Sequence, residues 1–392
     1  MELTVPKKDL LRLVSRCQGV ADKKSAMPAL SNVLLVAEGS VLHVSATDMY
    51  LSITGTTAAD VSTAGSVALP ARELFERVKA MPEGPVQIAA TAGAQTTIKA
   101  SASPRRFTVH GIPGGDFPPL PRPDERAPTL SMPVELLAKL IAHTHFSIST
   151  DETRAHVNSA LFEWAGDRLR MVTTDGHRLS KMEATVSGSS ATATMLIPLK
   201  AIGELRRLAD DARAERSEAK GDAGSADPNS PGRTSNVQIT QSGPNAFFDL
   251  AGMRFSVKLV DAQFPPYQQV IPKVSERNVR APRKALAEAL DAVRIAASDR
   301  TGGVKLTTLS GLLRVTSESP ESGNGFDELP VDFEGGELTI GFNAKYFLDV
   351  LNALDGDEVI LGMSGELDPA TIRQGAEAEK ESFVAVVMPM RI

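Results

Sequence analysis

Arg170 to Met182 reads RMVTTDGHRLSKM, and it decides the architecture because the same grammar occurs three times. A run from Leu161 to Glu163 turns at Ala165-Gly166-Asp167 into a second run, Leu169 to Thr173, which ends in Thr174-Asp175-Gly176-His177. Upstream, NVLLVAEGSVLHVSATDMYLSI has the same layout: Val33 to Val36, a turn at Glu38-Gly39-Ser40, Val41 to Ala46, then Thr47-Asp48-Met49-Tyr50. Downstream, GVKLTTLSGLLRVTSES repeats the hairpin around Ser310-Gly311, with Glu318 in place of the acid. Asp48 and Asp175 are 127 residues apart and Asp175 and Glu318 are 143 apart, so the repeat is a whole domain rather than a solenoid unit.

Other landmarks keep the phase. Pro6, Pro133 and Pro282 each head an apolar-periodic run, where a missing N–H costs nothing. A second helical set, LPARELFERV, IPLKAIGEL and IGFNAKYFLDVL, follows each hairpin. The expected fold is therefore α+β, with three similar domains of two helices each and antiparallel sheets joined by Gly-containing turns. The spacing places the domains at residues 1–125, 126–272 and 273–392, separated by a six-proline stretch, Gly111 to Pro128, and by KLVDAQFPPYQQVIPK, Lys258 to Lys273. Helix two of the middle domain is expected to end at Leu208. Ala209 to Asn236 has only alanine, glycine and proline as nonpolar residues and reads as a disordered insertion.

One cysteine, Cys17, excludes an internal disulfide framework, and its position on the apolar face with Leu10, Leu13 and Val14 makes it core. No apolar run is long enough for a membrane span and the opening lacks a signal-peptide pattern, so a cytoplasmic protein is expected. Asp175, His177 and Arg178 are the most enzyme-like cluster, a potential base and orienting acid of a hydrolase or transferase. Yet Asp48 and Glu318 recur without a histidine, which suits a turn acid satisfying backbone donors. His143 and His145 have metal-like spacing with no third ligand near them. Charge is more telling: the net charge is −6, the six helices sum to +7, and everything else therefore carries −13. A basic helical face on an acidic chain points to a polyanion partner.

PALSNVLLV with ATDMYLSI, TDGHRL, KLVDAQFPPY, IGFNAKYFLDVLNAL and the terminal VVMPMRI resemble, over essentially the whole chain, the bacterial DNA polymerase III beta subunits, the replicative sliding clamps. The resemblance implies a DNA clamp fold in which a head-to-tail homodimer closes into a ring, sheets outside and helices lining the hole, encircling duplex DNA as a processivity factor in replication. It implies no catalytic residues, no metal and no cofactor. Its partners would be the replicative polymerase alpha subunit, the clamp loader and other proteins with a clamp-binding motif. Their peptides would dock in a pocket carried over as Arg154, Val157, Thr174, Gly176, His177, Arg178, Leu179, Pro265, Val270, Asn343, Tyr346, Leu367, Val386, Val387, Met388, Pro389, Met390, Arg391 and Ile392. DNA-facing candidates are Lys7, Lys8, Arg12, Lys24, Arg72, Lys79, Lys200 and Arg207, and the seam would place Phe107 and Val109 against Ile295 and Ala296. Gln269, Thr301 and Ile392 depart from the family's usual residues, which keeps open a clamp paralogue with altered pocket chemistry.

Overall fold

The computed structural model describes the chain except residues 23–24, 187–191, 222–235, 299–301, 321, 377–380 and 392, and gives the backbone alone for 217–221. Lys24, Thr301 and Ile392, and the insertion beyond its first part, lie outside the described residues.

The described residues form six α-helices: α1 (Lys7–Gln18), α2 (Ala71–Lys79), α3 (Val134–Thr144), α4 (Leu199–Gly221), α5 (Arg283–Val293) and α6 (Ala344–Ala353). Each follows directly on a strand: Glu2–Pro6, Gly65–Pro70, Thr129–Pro133, Thr192–Pro198, Arg277–Pro282 and Leu338–Asn343. Five of these strands end in proline, which closes the strand and presets φ for the helix that follows. The sixth ends in Asn343, whose side-chain oxygen accepts from Lys345 N at 2.9 Å and caps α6. The strands at 2–6, 129–133 and 277–282 were not legible beforehand, being short and lacking a turn signal.

The chain forms two compact units, Met1–Leu137 with Gly203–Leu259 and Ala138–Ile202 with Val260–Ile392. The first holds a nine-stranded sheet in the order Ile112–Pro113, Gly65–Pro70, Asn32–Glu38, Val41–Thr47, Leu51–Ala58, Met253–Lys258, Asn245–Leu250, Asn236–Ser242, Thr129–Pro133. Its five-stranded sheet runs Asp60–Thr63, Glu2–Pro6, Pro85–Ala90, Gln95–Ala100, Arg106–His110. The second unit holds an eight-stranded sheet, Thr192–Pro198, Ser159–Ala165, Arg168–Thr174, Arg178–Thr185, Glu381–Val387, Ala370–Gln374, Glu358–Met363, Arg277–Pro282. Its four-stranded sheet runs Gly323–Pro330, Leu312–Ser319, Gly303–Leu309, Leu338–Asn343.

The two large sheets cross the expected domain borders, because the third strand of one hairpin set pairs antiparallel with a strand of the next repeat. Ile53 lies opposite Phe255, and Leu179 opposite Val386. Helix α1 presses on the first of these junctions at Gly55, where a Cβ would sit 2.3 Å from Met253 Sδ and 2.6 Å from Leu13 Cδ2. A side chain there would have to displace the ends of Met253 and Leu13.

Three expectations need correction. Helix α4 does not stop at Leu208 but continues to Gly221, so residues 209–221 of the supposed disordered insertion are helical. Ala209 and Ala212 are buried, and alanine, arginine and glutamate are strong helix formers. Close packing of small side chains and ion pairs here replaces the large apolar residues whose absence had suggested disorder. Glu318 is no turn acid: it lies within the strand Leu312–Ser319 with Asn324 as its register partner. The linker 111–128 is not wholly irregular, since Ile112–Pro113 adds an edge strand to the nine-stranded sheet.

Candidate functional site

The two TD turns are built from the same bonds. Thr174 Oγ1 donates to Arg178 O (2.7 Å) and accepts from Gly176 N (3.1 Å), while Asp175 Oδ1 accepts from His177 N (2.9 Å) and Arg178 N (3.0 Å). Thr47 Oγ1 likewise donates to Leu51 O (2.7 Å) and accepts from Met49 N (3.0 Å), and Asp48 Oδ1 accepts from Tyr50 N (2.9 Å) and Leu51 N (2.6 Å). Met388 N donates to His177 O (2.9 Å) as Lys258 N donates to Tyr50 O (2.8 Å). The acid at each turn is thus occupied by backbone donors, and at Asp175 by Arg178 as well, which removes Asp175 as the orienting acid of a His177 base.

What differs is the lining. At the Asp175 turn, Leu179 and Val386 are register partners and both are buried; the corresponding pair at the Asp48 turn is Ser52 and Ser256. The turn residue with φ near +95° is Gly176, whereas Met49 holds φ +76° with its side chain exposed. An apolar hollow forms at the Asp175 turn. It is a cavity of about 240 Å³ lined by Arg154, Val157, Thr174, Gly176, Arg178, Leu179, Pro265, Val270, Val386 and Met388, all carried-over candidates, and by His156 and Tyr267, which sequence reasoning missed. Tyr267 belongs to the cluster of Leu161, Val172, Leu179, Leu196 and Val386, against which Val260, Phe264 and Ile271 of the linker pack. Burying such side chains contributes about 1.5–3 kcal/mol each, so the linker forms a fixed wall. The Tyr267 hydroxyl donates to Glu163 Oε2 (3.1 Å) and accepts from Arg170 (3.3 Å), and burial pushes its pKa up.

Arg178 closes the base of the cavity. Its guanidinium binds Asp175 Oδ2 (3.0 Å), Asp349 Oδ2 (2.6 Å) and Phe146 O, and lies 4.6 Å from the centre of the Tyr346 ring. Burial raises the Tyr346 pKa. Arg154 pairs with Asp151 (3.0 Å) and donates to Asp175 O (3.3 Å), tying the cavity rim to the turn. The remaining described candidates do not line the hollow. Val387 is fully buried, Asn343 caps α6, Leu367 is 69% exposed, and Pro389, Met390 and Arg391 run past Gly341, whose carbonyl accepts from Met390 N (2.8 Å). His177 is exposed.

Of the DNA-facing candidates, Lys8, Arg72, Lys79 and Lys200 are exposed. Lys7 pairs with Glu83 (2.8 Å), Arg12 with Asp9 (3.7 Å) and Glu215 (3.9 Å), and Arg207 with Glu204 (2.8 Å) and Asp211 (3.5 Å). Of the seam candidates, Val109 and Ala296 are buried, β-strand alternation turning Val109 inward; Phe107 is half-buried and Ile295 is 80% exposed. Phe326, 64% exposed on the edge strand Gly323–Pro330, was missed. The histidines with metal-like spacing are used locally: His143 Nδ1 donates to Lys139 O and His145 Nδ1 to Ile141 O. Cys17 is buried, its pKa pushed up to about 12 by that burial. Among the described residues no helix is long and apolar enough to cross a membrane.

Family models for the DNA polymerase III beta subunit match in chain order: the N-terminal domain at residues 1–121, the central domain at 131–217 and the C-terminal domain at 268–391. The beta sliding clamp of Caulobacter vibrioides is 30% identical and that of Pseudomonas aeruginosa 31% identical, each covered over 100% of both chains. A crystal structure of the DNA polymerase sliding clamp from Pseudomonas aeruginosa with ligand superposes with a TM-score of 0.88 at 29% identity, again over 100% of both chains. Three domain models in sequence and whole-length relatives at this identity, on top of the shared strand–helix repeat, establish that the chain belongs to the DNA polymerase III beta subunit family, the bacterial beta sliding clamps.

Proposed function

We propose that this non-catalytic subunit acts in the cytoplasm as a homodimeric ring that encircles duplex DNA and tethers the replicative polymerase alpha subunit, receives the clamp loader, and holds other proteins by a peptide in the Leu179–Val386 cavity. The full-length family match carries this reading. Two unpaired sheet edges support the closure: Arg106–His110 ends the five-stranded sheet and Gly323–Pro330 ends the four-stranded one. Head-to-tail contact between such unlike edges closes after two copies if the rotation fits, and an open edge otherwise invites uncontrolled pairing. The cavity suits a short peptide with apolar anchors. Its floor is aliphatic, its polar groups are few and fixed, and Met388, 37% exposed, offers a flexible edge that adapts to several partners. Residues 1–125, 126–272 and 273–392 are the three clamp domains in this reading. Negative-stain imaging of the purified protein tests it: a ring with a central hole wide enough for duplex DNA is expected, and a solid particle would contradict it.

A further inference from the structure

Three cationic side chains at the α1–α4 contact are already held by acids of α4. Arg16, 3% exposed, donates from Nη1 to Ala251 O (3.1 Å), from Nη2 to Glu215 Oε1 (2.7 Å), and has Asp211 Oδ2 3.5 Å from Nε. Arg12 approaches the same Glu215 oxygen at 3.9 Å. Arg207 approaches the same Asp211 oxygen at 3.5 Å while donating to Glu204 (2.8 Å) and to Arg16 O (2.9 Å). Arg216, further along α4, pairs with Glu135. Asp211 and Glu215 stand one turn apart on the part of α4 beyond Leu208, so that extension presents its acids to the helical face expected to meet DNA.

We propose that Glu204, Asp211 and Glu215 set how strongly this clamp holds duplex DNA, by occupying Arg12 and Arg207 so that neither reaches a phosphate. The idea rests on the ring reading, in which the helices face the duplex. Arg16 is too enclosed to contribute. Each phosphate a protein neutralises steepens the fall of log K with log salt by about 0.9 for B-form DNA, so two occupied arginines flatten that dependence and let the ring slide.

The test is binding of the purified protein to a short linear duplex by fluorescence anisotropy across a low-salt series, with the unfolding temperature as a control. Glu204→Gln, Asp211→Asn and Glu215→Gln together remove the charges that hold Arg12 and Arg207 and keep the shapes. Tighter binding and a slope steeper by about 2 are expected; an unchanged or shallower slope in a folded variant overturns the proposal. Should that variant fail to fold, Arg12→Gln with Arg207→Gln in the otherwise native chain decides: its slope should match the native protein's, and a loss of about 2 shows that the arginines do contact phosphate. A native protein that slips from circular duplex refutes the ring reading separately, since the slopes are measured on linear DNA.

Discussion

An Arg178→Ala variant is expected to lose about 3–5 kcal/mol of stability and all measurable binding of a peptide carrying Leu and Phe anchors. Arg178 is 8% exposed and joins three backbone or carboxylate groups from distant parts of the second unit, with two aromatic rings against its guanidinium. Without it, Asp349 keeps only the exposed Lys345 (2.6 Å) and Asp175 keeps only its turn amides. A partly buried carboxylate stripped of its partner is a larger loss than the ion pair's own worth. The cavity base would relax as well, because Tyr346 and Phe146 are fixed through the same guanidinium. Arg178→Lys keeps the charge but not the planar fork that serves Asp175, Asp349 and Phe146 O together, so an intermediate loss follows. Urea unfolding and isothermal calorimetry check both; a variant within about 1 kcal/mol of the native protein and with undiminished peptide binding would show that Arg178 supports neither.

The second large effect is on assembly. Ile295 is 80% exposed, and the adjoining strand packs so closely beneath it that a Cβ on Gly325 would come within 3.2 Å of Ala296 Cβ. Phe326, exposed on that same edge strand, faces the other side of the sheet, where Arg314 lies over its ring. Ile295→Glu touches nothing in the folded subunit, yet places an unpaired charge in the proposed seam. An added cost of about 4 kcal/mol weakens a dimer roughly a thousandfold. Native mass spectrometry at low micromolar concentration should show dimer for the native chain and monomer for the variant, at an unchanged unfolding temperature. Dimers of the variant at equal abundance would place the seam elsewhere.

How far the sequence could be read depended on whether the signal was local. The Thr-Asp turns, the three hairpins and the amphipathic helices each lie within a dozen residues, and turn chemistry plus apolar period exposed them. The partners of Arg178 did not show: Asp349 is 171 positions away, and nothing near either residue announces the contact. Tyr267 was passed over for a related reason, since its role comes from folding the linker back over the sheet at Leu161 and Leu196. The extension of α4 was misjudged because burial by Ala209 and Ala212 leaves no large apolar residue to notice. Conversely, the repeat concealed a difference at one pair of positions: with Ser52 and Ser256 where Leu179 and Val386 stand, the first turn copies the bonds of the second but not its apolar pair.

The central claim is that this protein is held on DNA by topology rather than by contacts, and one measurement addresses it most directly. The protein is loaded with a clamp loader onto nicked circular plasmid, passed through gel filtration in moderately high salt, and sampled before and after a single restriction cut. Exposed contacts of Lys8, Arg72, Lys79 and Lys200 with phosphate are screened under those conditions, so only a closed ring keeps its place. Retention on the circle and rapid loss from the linearised plasmid is the predicted result. Equal retention on both forms would mean that contacts hold the protein, and would contradict the ring.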